Sequence, residues 1–102
     1  MSNQLTKLPE TMGELRSLRK LFVSENKLRM LPKNFGDLQQ LAELQIYKNE
    51  LTSLCDDFGH LSKLQKFNAS DNQMAHLPES FVYLQSLSTF LLNNNVLEDL
   101  PE

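Results

Sequence analysis

LRKLFVSENKLRMLPKNFGDLQQ (residues 18–40) decides the fold, because its pattern returns at 41–63, at 64–86 and, as far as the chain runs, at 87–102. Leu18, Leu41, Leu64 and Leu87 stand 23 residues apart. Leu21, Leu44, Phe67 and Phe90 hold the next shared position, and Val23, Ile46, Ala69 and Leu92 the one after. Asn26, Asn49, Asn72 and Asn95 follow, with Asn3 in the same phase upstream. Leu28, Leu51, Met74 and Leu97 precede Leu31, Leu54, Leu77 and Leu100. A proline comes next at Pro32, Pro78 and Pro101, and at Pro9 in the partial repeat of residues 1–17. Phe35, Phe58 and Phe81 then lead to Leu38, Leu61 and Leu84. A fixed period of this length marks an architecture of stacked repeats.

Each position has a physical reason. Leu21 and Val23 alternate with period two, so a short strand sends both to one face. Stacking the repeats lays such strands side by side in a parallel sheet. Proline presets φ at the entry to a turn whose first N–H needs no partner. Phe35 and Leu38, three apart, turn the apolar side of a short helical segment inward. One repeat buries about seven apolar side chains at ~1.5–3 kcal/mol each, against ~1–2 kcal/mol for ordering each residue. That balance is near or below zero, so stability must come from contacts between neighbours. Two substitutions invite attention: Phe67 is large where Ala69 is small, so their volumes offset each other. Val82 stands where other repeats have Gly36 and Gly59, which predicts a local difference in the turn after Phe81.

The pattern LxxLxLxxNxLxxLPxxFGxLxx resembles the leucine-rich repeat family. Within it, the chain is similar to the LP-type repeats of intracellular scaffolds such as the Ras-pathway and cell-polarity leucine-rich proteins. The resemblance covers essentially the whole of residues 1–102. It implies an α/β solenoid, a horseshoe with a short parallel β-sheet on the concave face and 3₁₀ or short helical turns on the convex face. It also implies that the asparagine amides form a buried ladder to main-chain groups of the loop and the neighbouring repeat. The organisation expected is one domain, with full repeats at 18–40, 41–63 and 64–86, partial repeats at 1–17 and 87–102, and no recognisable caps.

Strand residues between the core positions face the concave surface, and a partner would meet them there. Phe22, Gln45, Asn68 and Leu91 make one column; Ser24, Tyr47, Ser70 and Asn93 a second; Glu25, Lys48, Asp71 and Asn94 a third; Lys20, Glu43, Lys66 and Thr89 a fourth. Phe22, Tyr47 and Leu91 are the candidate anchors, since large side chains held rigidly in solvent dominate binding hot spots. Gln45, Asn68, Lys48, Lys20, Glu43, Lys66 and Asp71 complete the candidate site. The charged columns alternate in sign, so pairing between adjacent strands is expected to neutralise them. Arg16, Arg19, Lys20, Lys27, Arg29 and Lys33 form a basic stretch that the repeat phase scatters over several faces.

No motif for nucleophilic, metal or phosphate chemistry is present. Cys55 occupies the proline position and His60 the convex turn, with no acid placed to orient that histidine. A net charge of −3 disfavours a nucleic-acid partner, and no apolar run approaches the ~20 residues of a membrane span. One cysteine allows no internal disulfide, which favours a reducing compartment, cytoplasmic or nuclear. All ten Lys and Arg lie at or before Lys66, with five acids and no base beyond it. The expectation is a non-catalytic interaction module without cofactors, scaffold or adaptor, holding a protein on its concave face. Two alternatives stay open: a recruiting or structural fragment of a larger leucine-rich repeat kinase, GTPase or ubiquitin ligase, and an array element that self-associates through uncapped ends.

Overall fold

Among the described residues four three-residue strands and four 3₁₀ turns alternate; each full repeat carries one of each, while residues 1–17 contribute a turn and residues 87–102 a strand. In this computed structural model, residues 4–96 are described; Asn3, Leu97, Leu100 and Pro101, named above, lie outside them. The turns are η1 (Glu10–Glu14), η2 (Lys33–Asp37), η3 (Phe58–His60) and η4 (Glu79–Tyr83). The strands are β1 (Lys20–Phe22), β2 (Glu43–Gln45), β3 (Lys66–Asn68) and β4 (Thr89–Leu91). They form one parallel sheet in sequential order. Its register is the sequence period itself: Leu21 faces Leu44, Leu44 faces Phe67, and Phe67 faces Phe90. This is the expected leucine-rich repeat solenoid.

The core fills the space between sheet and turns. Leu28, Phe35, Leu38, Leu41, Leu44, Ile46, Leu51, Phe58, Leu61 and Leu64 are fully buried. Phe35 stacks on Phe58 and Phe58 on Phe81, with ring centroids 6.2 Å apart in each pair. Phe67 fits against Phe58 at 5.0 Å, with buried Ala69 beside it in the same repeat. A larger residue than Ala69 would crowd a layer already widened by Phe67.

Among the described residues the asparagine ladder forms at Asn26, Asn49, Asn72 and Asn95. Asn49 Oδ1 accepts from Leu28 N–H at 3.1 Å, and its Nδ2 donates to Val23 O and Ile46 O at 3.1 and 3.0 Å. Asn72 takes the Leu51 N–H at 3.1 Å and donates to Ile46 O and Ala69 O at 3.0 and 2.9 Å. Each amide therefore satisfies groups of its own repeat and of the one before it, where no water could. Between strand and asparagine, Glu25, Lys48, Asp71 and Asn94 adopt left-handed backbone with φ of 58–61°. That reversal swings the chain out of the sheet at the same point in every repeat.

The turns need a small residue on the side facing their successor. A Cβ on Gly13, Gly36 or Gly59 would collide with the carbonyl oxygen of Asn34, Asp57 or Ser80 in the next turn. Ser80 adds a hydrogen bond, accepting the Gly59 N–H on its Oγ at 2.9 Å. The local change expected at Val82 is found just after the turn: the bonds from Leu41 N–H to Leu38 O and from Leu64 N–H to Leu61 O, 3.1 Å each, have no counterpart between Leu87 and Leu84 among the described residues, while η4 itself is regular. η4 has the length of η2, and Leu84 N–H bonds Phe81 O at 3.2 Å as Leu38 N–H bonds Phe35 O. Glycine here answers to close packing by the following turn, not to backbone conformation. Among the described residues nothing stacks on Val82, which is exposed.

Cys55 replaces proline and keeps the entry bond, its carbonyl accepting the Phe58 N–H at 3.1 Å as Pro32 O accepts that of Phe35, but η3 that follows has three residues where the proline-led turns have five. Burial, and then the neighbouring Asp57 carboxylate, push the Cys55 thiol well above its usual range. The thiol therefore stays protonated at neutral pH. Alkylation of the folded chain by iodoacetamide is expected to run at least about tenfold slower than in urea, because the thiolate is the nucleophile. Equal rates would refute this. The unfolded thiol ionises near pH 8.5 while the folded one does not, so stability should decline as pH rises above about 8.5.

Candidate protein-binding face

On the open face of the sheet, the residues flanking each strand centre point outward. In β1, Lys20 and Phe22 are exposed on either side of Leu21; in β2, Glu43 and Gln45 are half-buried around fully buried Leu44. Lys66 and Asn68 flank Phe67 in the same way, and Thr89 and Leu91 flank Phe90. Phe22 is 61 % exposed and Leu91 41 %, which is high for large apolar side chains on a sheet. Tyr47 is half-buried.

A hollow of about 410 Å³ lies at the β1–β2 end of this face, lined by Phe22, Ser24, Glu25, Glu43, Gln45 and Tyr47. It brings together Phe22, Glu43, Gln45 and Tyr47 of the expected site. Leu91 sits at the opposite edge of the sheet, on β4, so the three anchors do not form one patch. Lys20, Lys48, Lys66, Asn68 and Asp71 do not line the hollow either. Glu25 does, and it was missing from the candidate site. Its signal was available in the sequence: the strand exit of one repeat lies beside the strand of the next.

Two expectations about the columns need correction. Charge pairing between strands does not form at ion-pair distance. Among the described residues the ion pair is Arg29–Glu50, 3.7 Å and largely exposed. Glu43 Oε2 instead accepts from Gln45 Nε2 at 3.2 Å, and Asp71 Oδ1 from Asn94 Nδ2 at 2.8 Å. Long exposed side chains gain too little from a surface pair to be held in one geometry. The second column also serves the fold more than a partner. Ser24 Oγ accepts the Tyr47 N–H and Ser70 Oγ the Asn93 N–H, both at 3.1 Å.

Among the described residues no group of three or more His, Cys, Asp or Glu could hold a metal ion. No helix among the described residues is long and apolar enough to cross a membrane. Cys55 and His60 lie in the proline position and in η3, away from the sheet.

Comparison with known proteins agrees with the architecture. Models of the leucine rich repeat match residues 39–97 and 17–38. No curated protein sequence matches. Among solved structures, a leucine-rich repeat protein of Leptospira interrogans superposes with a TM-score of 0.72 at 32 % identity, over 95 % of this chain. The matched region is 31 % of that longer chain. Domains of this kind generally mediate protein–protein interaction and are typically non-catalytic. Periodic sequence, parallel sheet, asparagine ladder and family match agree, and the chain belongs to the leucine-rich repeat family.

Proposed function

We propose that this chain is a non-catalytic interaction module that holds a partner protein on the sheet face, centred on the hollow between β1 and β2. The carrying observation is that hollow, walled by Phe22 and Tyr47 on a rigid parallel sheet. Side chains on such a sheet lose little freedom on binding, so apolar contact there is retained as affinity. A scaffold or adaptor in the cytoplasm fits the lone half-buried cysteine and its lack of a disulfide partner.

Affinity purification from native extract tests the reading, comparing the wild-type chain with a Phe22→Ala, Tyr47→Ala, Leu91→Ala variant of matching circular dichroism. A protein retained by the first and lost from the second is the expected result. Truncating central aromatic anchors of this kind costs ~2 kcal/mol or more each. Equal retention would move the site off those three anchors, towards the charged columns or the convex face, and no specific partner for either would remove the proposal.

A second reading rests on the far edge of the sheet. β4 carries Thr89, Phe90 and Leu91, all exposed and none charged, whereas β1 carries Lys20. An uncharged open edge is a template for strand addition, which favours lateral association with further repeats or another copy. A concentration-independent monomer mass by light scattering would eliminate it.

A further inference from the structure

The hollow that the proposed function rests on contains an unspent charge. Two of its walls are carboxylates, Glu25 and Glu43, and no base lines it. Both acids are half-buried. Lys20 faces Glu43 in the strand register, yet no ion pair joins Glu25 or Glu43 to a base among the described residues. Glu43 is also held in place, because Gln45 Nε2 donates to its Oε2 at 3.2 Å. Glu25 is fixed from the backbone side: it sits in the left-handed strand exit at φ 61°, where its N–H bonds Tyr47 O at 2.9 Å. Two positioned acids thus share a concavity with two aromatic rings, Phe22 and Tyr47.

From this geometry we infer that the hollow receives a cationic side chain of the partner, an arginine or lysine with an apolar neighbour in sequence. The inference rests on the sheet face being the binding face. The cation donates to the Glu25 and Glu43 carboxylates, forming charge-assisted hydrogen bonds. It lies over aromatic faces whose quadrupole attracts positive charge, while the apolar neighbour covers Phe22. A wholly apolar segment would strip water from two carboxylates and return nothing to them. An acidic segment would add like charge to the same space. Arginine suits the site better than lysine, because its planar fork can both stack and bridge two carboxylates.

Amide-resolved NMR of the intact chain tests this with three capped tripeptides at millimolar concentration: acetyl-Leu-Arg-Leu-amide, acetyl-Leu-Gln-Leu-amide and acetyl-Leu-Glu-Leu-amide. The arginine peptide is expected to move the amides of Phe22, Glu25, Gln45 and Tyr47 saturably, at least about tenfold more tightly than the glutamine peptide. The glutamate peptide should bind weakest, and added salt should erase the difference. A Glu25→Gln, Glu43→Gln variant, both changes lying on the surface, should level the arginine and glutamine peptides. Equal binding of arginine and glutamine peptides by the wild type would overturn the inference while leaving the sheet face as the docking surface. Shifts elsewhere, or none with any peptide, would overturn it as well. The purification experiment above decides the docking face independently.

Discussion

Asn72→Ala should cost about 3–5 kcal/mol, a large part of the stability of a domain this size. The substitution removes the Asn72 Oδ1 that accepts the buried Leu51 N–H at 3.1 Å. An orphaned buried donor costs about 1–3 kcal/mol. Three further bonds go with it, to Ile46 O, Ala69 O and Ser70 O. Those carbonyls are not left bare, because Asn49, Asn95 and the Lys48 N–H also donate to them, so each loss is about 1 kcal/mol or below. Urea unfolding followed by circular dichroism should show the midpoint fall accordingly. Asn95→Ala, in a half-buried outer repeat, should cost visibly less, since terminal repeats contribute fewer neighbour contacts. A change at Asn72 below about 0.5 kcal/mol, the range of surface substitutions, would mean the ladder is not what holds the loops.

Gly59→Ala is the second large effect, at about 3 kcal/mol, the upper end of what overpacking by small groups costs. The added Cβ meets the carbonyl of Ser80, main chain that cannot rotate away. Relief requires η3 and η4 to separate, which loosens the Ser80 Oγ contact to the Gly59 N–H and the Phe58–Phe81 stack. Val82→Ala occupies the equivalent slot and is expected to lie within about 0.5 kcal/mol of wild type, since Val82 is exposed. Thermal unfolding of the two variants side by side tests the claim. If Gly59→Ala unfolds with the wild type, the turns do not pack as closely as described.

The period carried the course of the described backbone, though not the shorter η3 or the change that follows η4. Leucine and phenylalanine positions gave the core, the strand register and the place of every turn, because a repeat that cannot stand alone has few ways to cover its apolar face. The asparagine ladder came with the family resemblance, and its bonds fall at the residues it pointed to. What the period could not carry was the state of side chains in solvent. Lys20, Glu43 and Lys66 alternate in sign, yet Glu43 turns to Gln45 on its own strand, since such pairs are nearly degenerate in energy. Ser24 and Ser70 looked like contact residues and prove to be acceptors for strand N–H groups. Val82 looked like a change of turn, and the bond that closes the turn from Leu41 to Leu38 and from Leu64 to Leu61 is indeed missing between Leu87 and Leu84, beside a surface that no described repeat covers. The hollow was legible in part: Phe22, Glu43, Gln45 and Tyr47 were all in view, but Glu25 joins them only through proximity across strands.

The glycines also set how far the molecule bends. Phenylalanine rings beneath the turns repeat every 6.2 Å, while neighbouring strands on the opposite side sit about 4.8 Å apart. That mismatch in layer spacing, added once per repeat, is what arches the sheet. Gly13, Gly36 and Gly59 hold the outer layers as near as backbone allows, so they keep the arch shallow. A bulkier residue in any of these slots would wedge the outer side open and tighten the arc, drawing the strand side chains toward one another. The width of the partner's seat is thus governed from the far side of the molecule, by residues no partner touches.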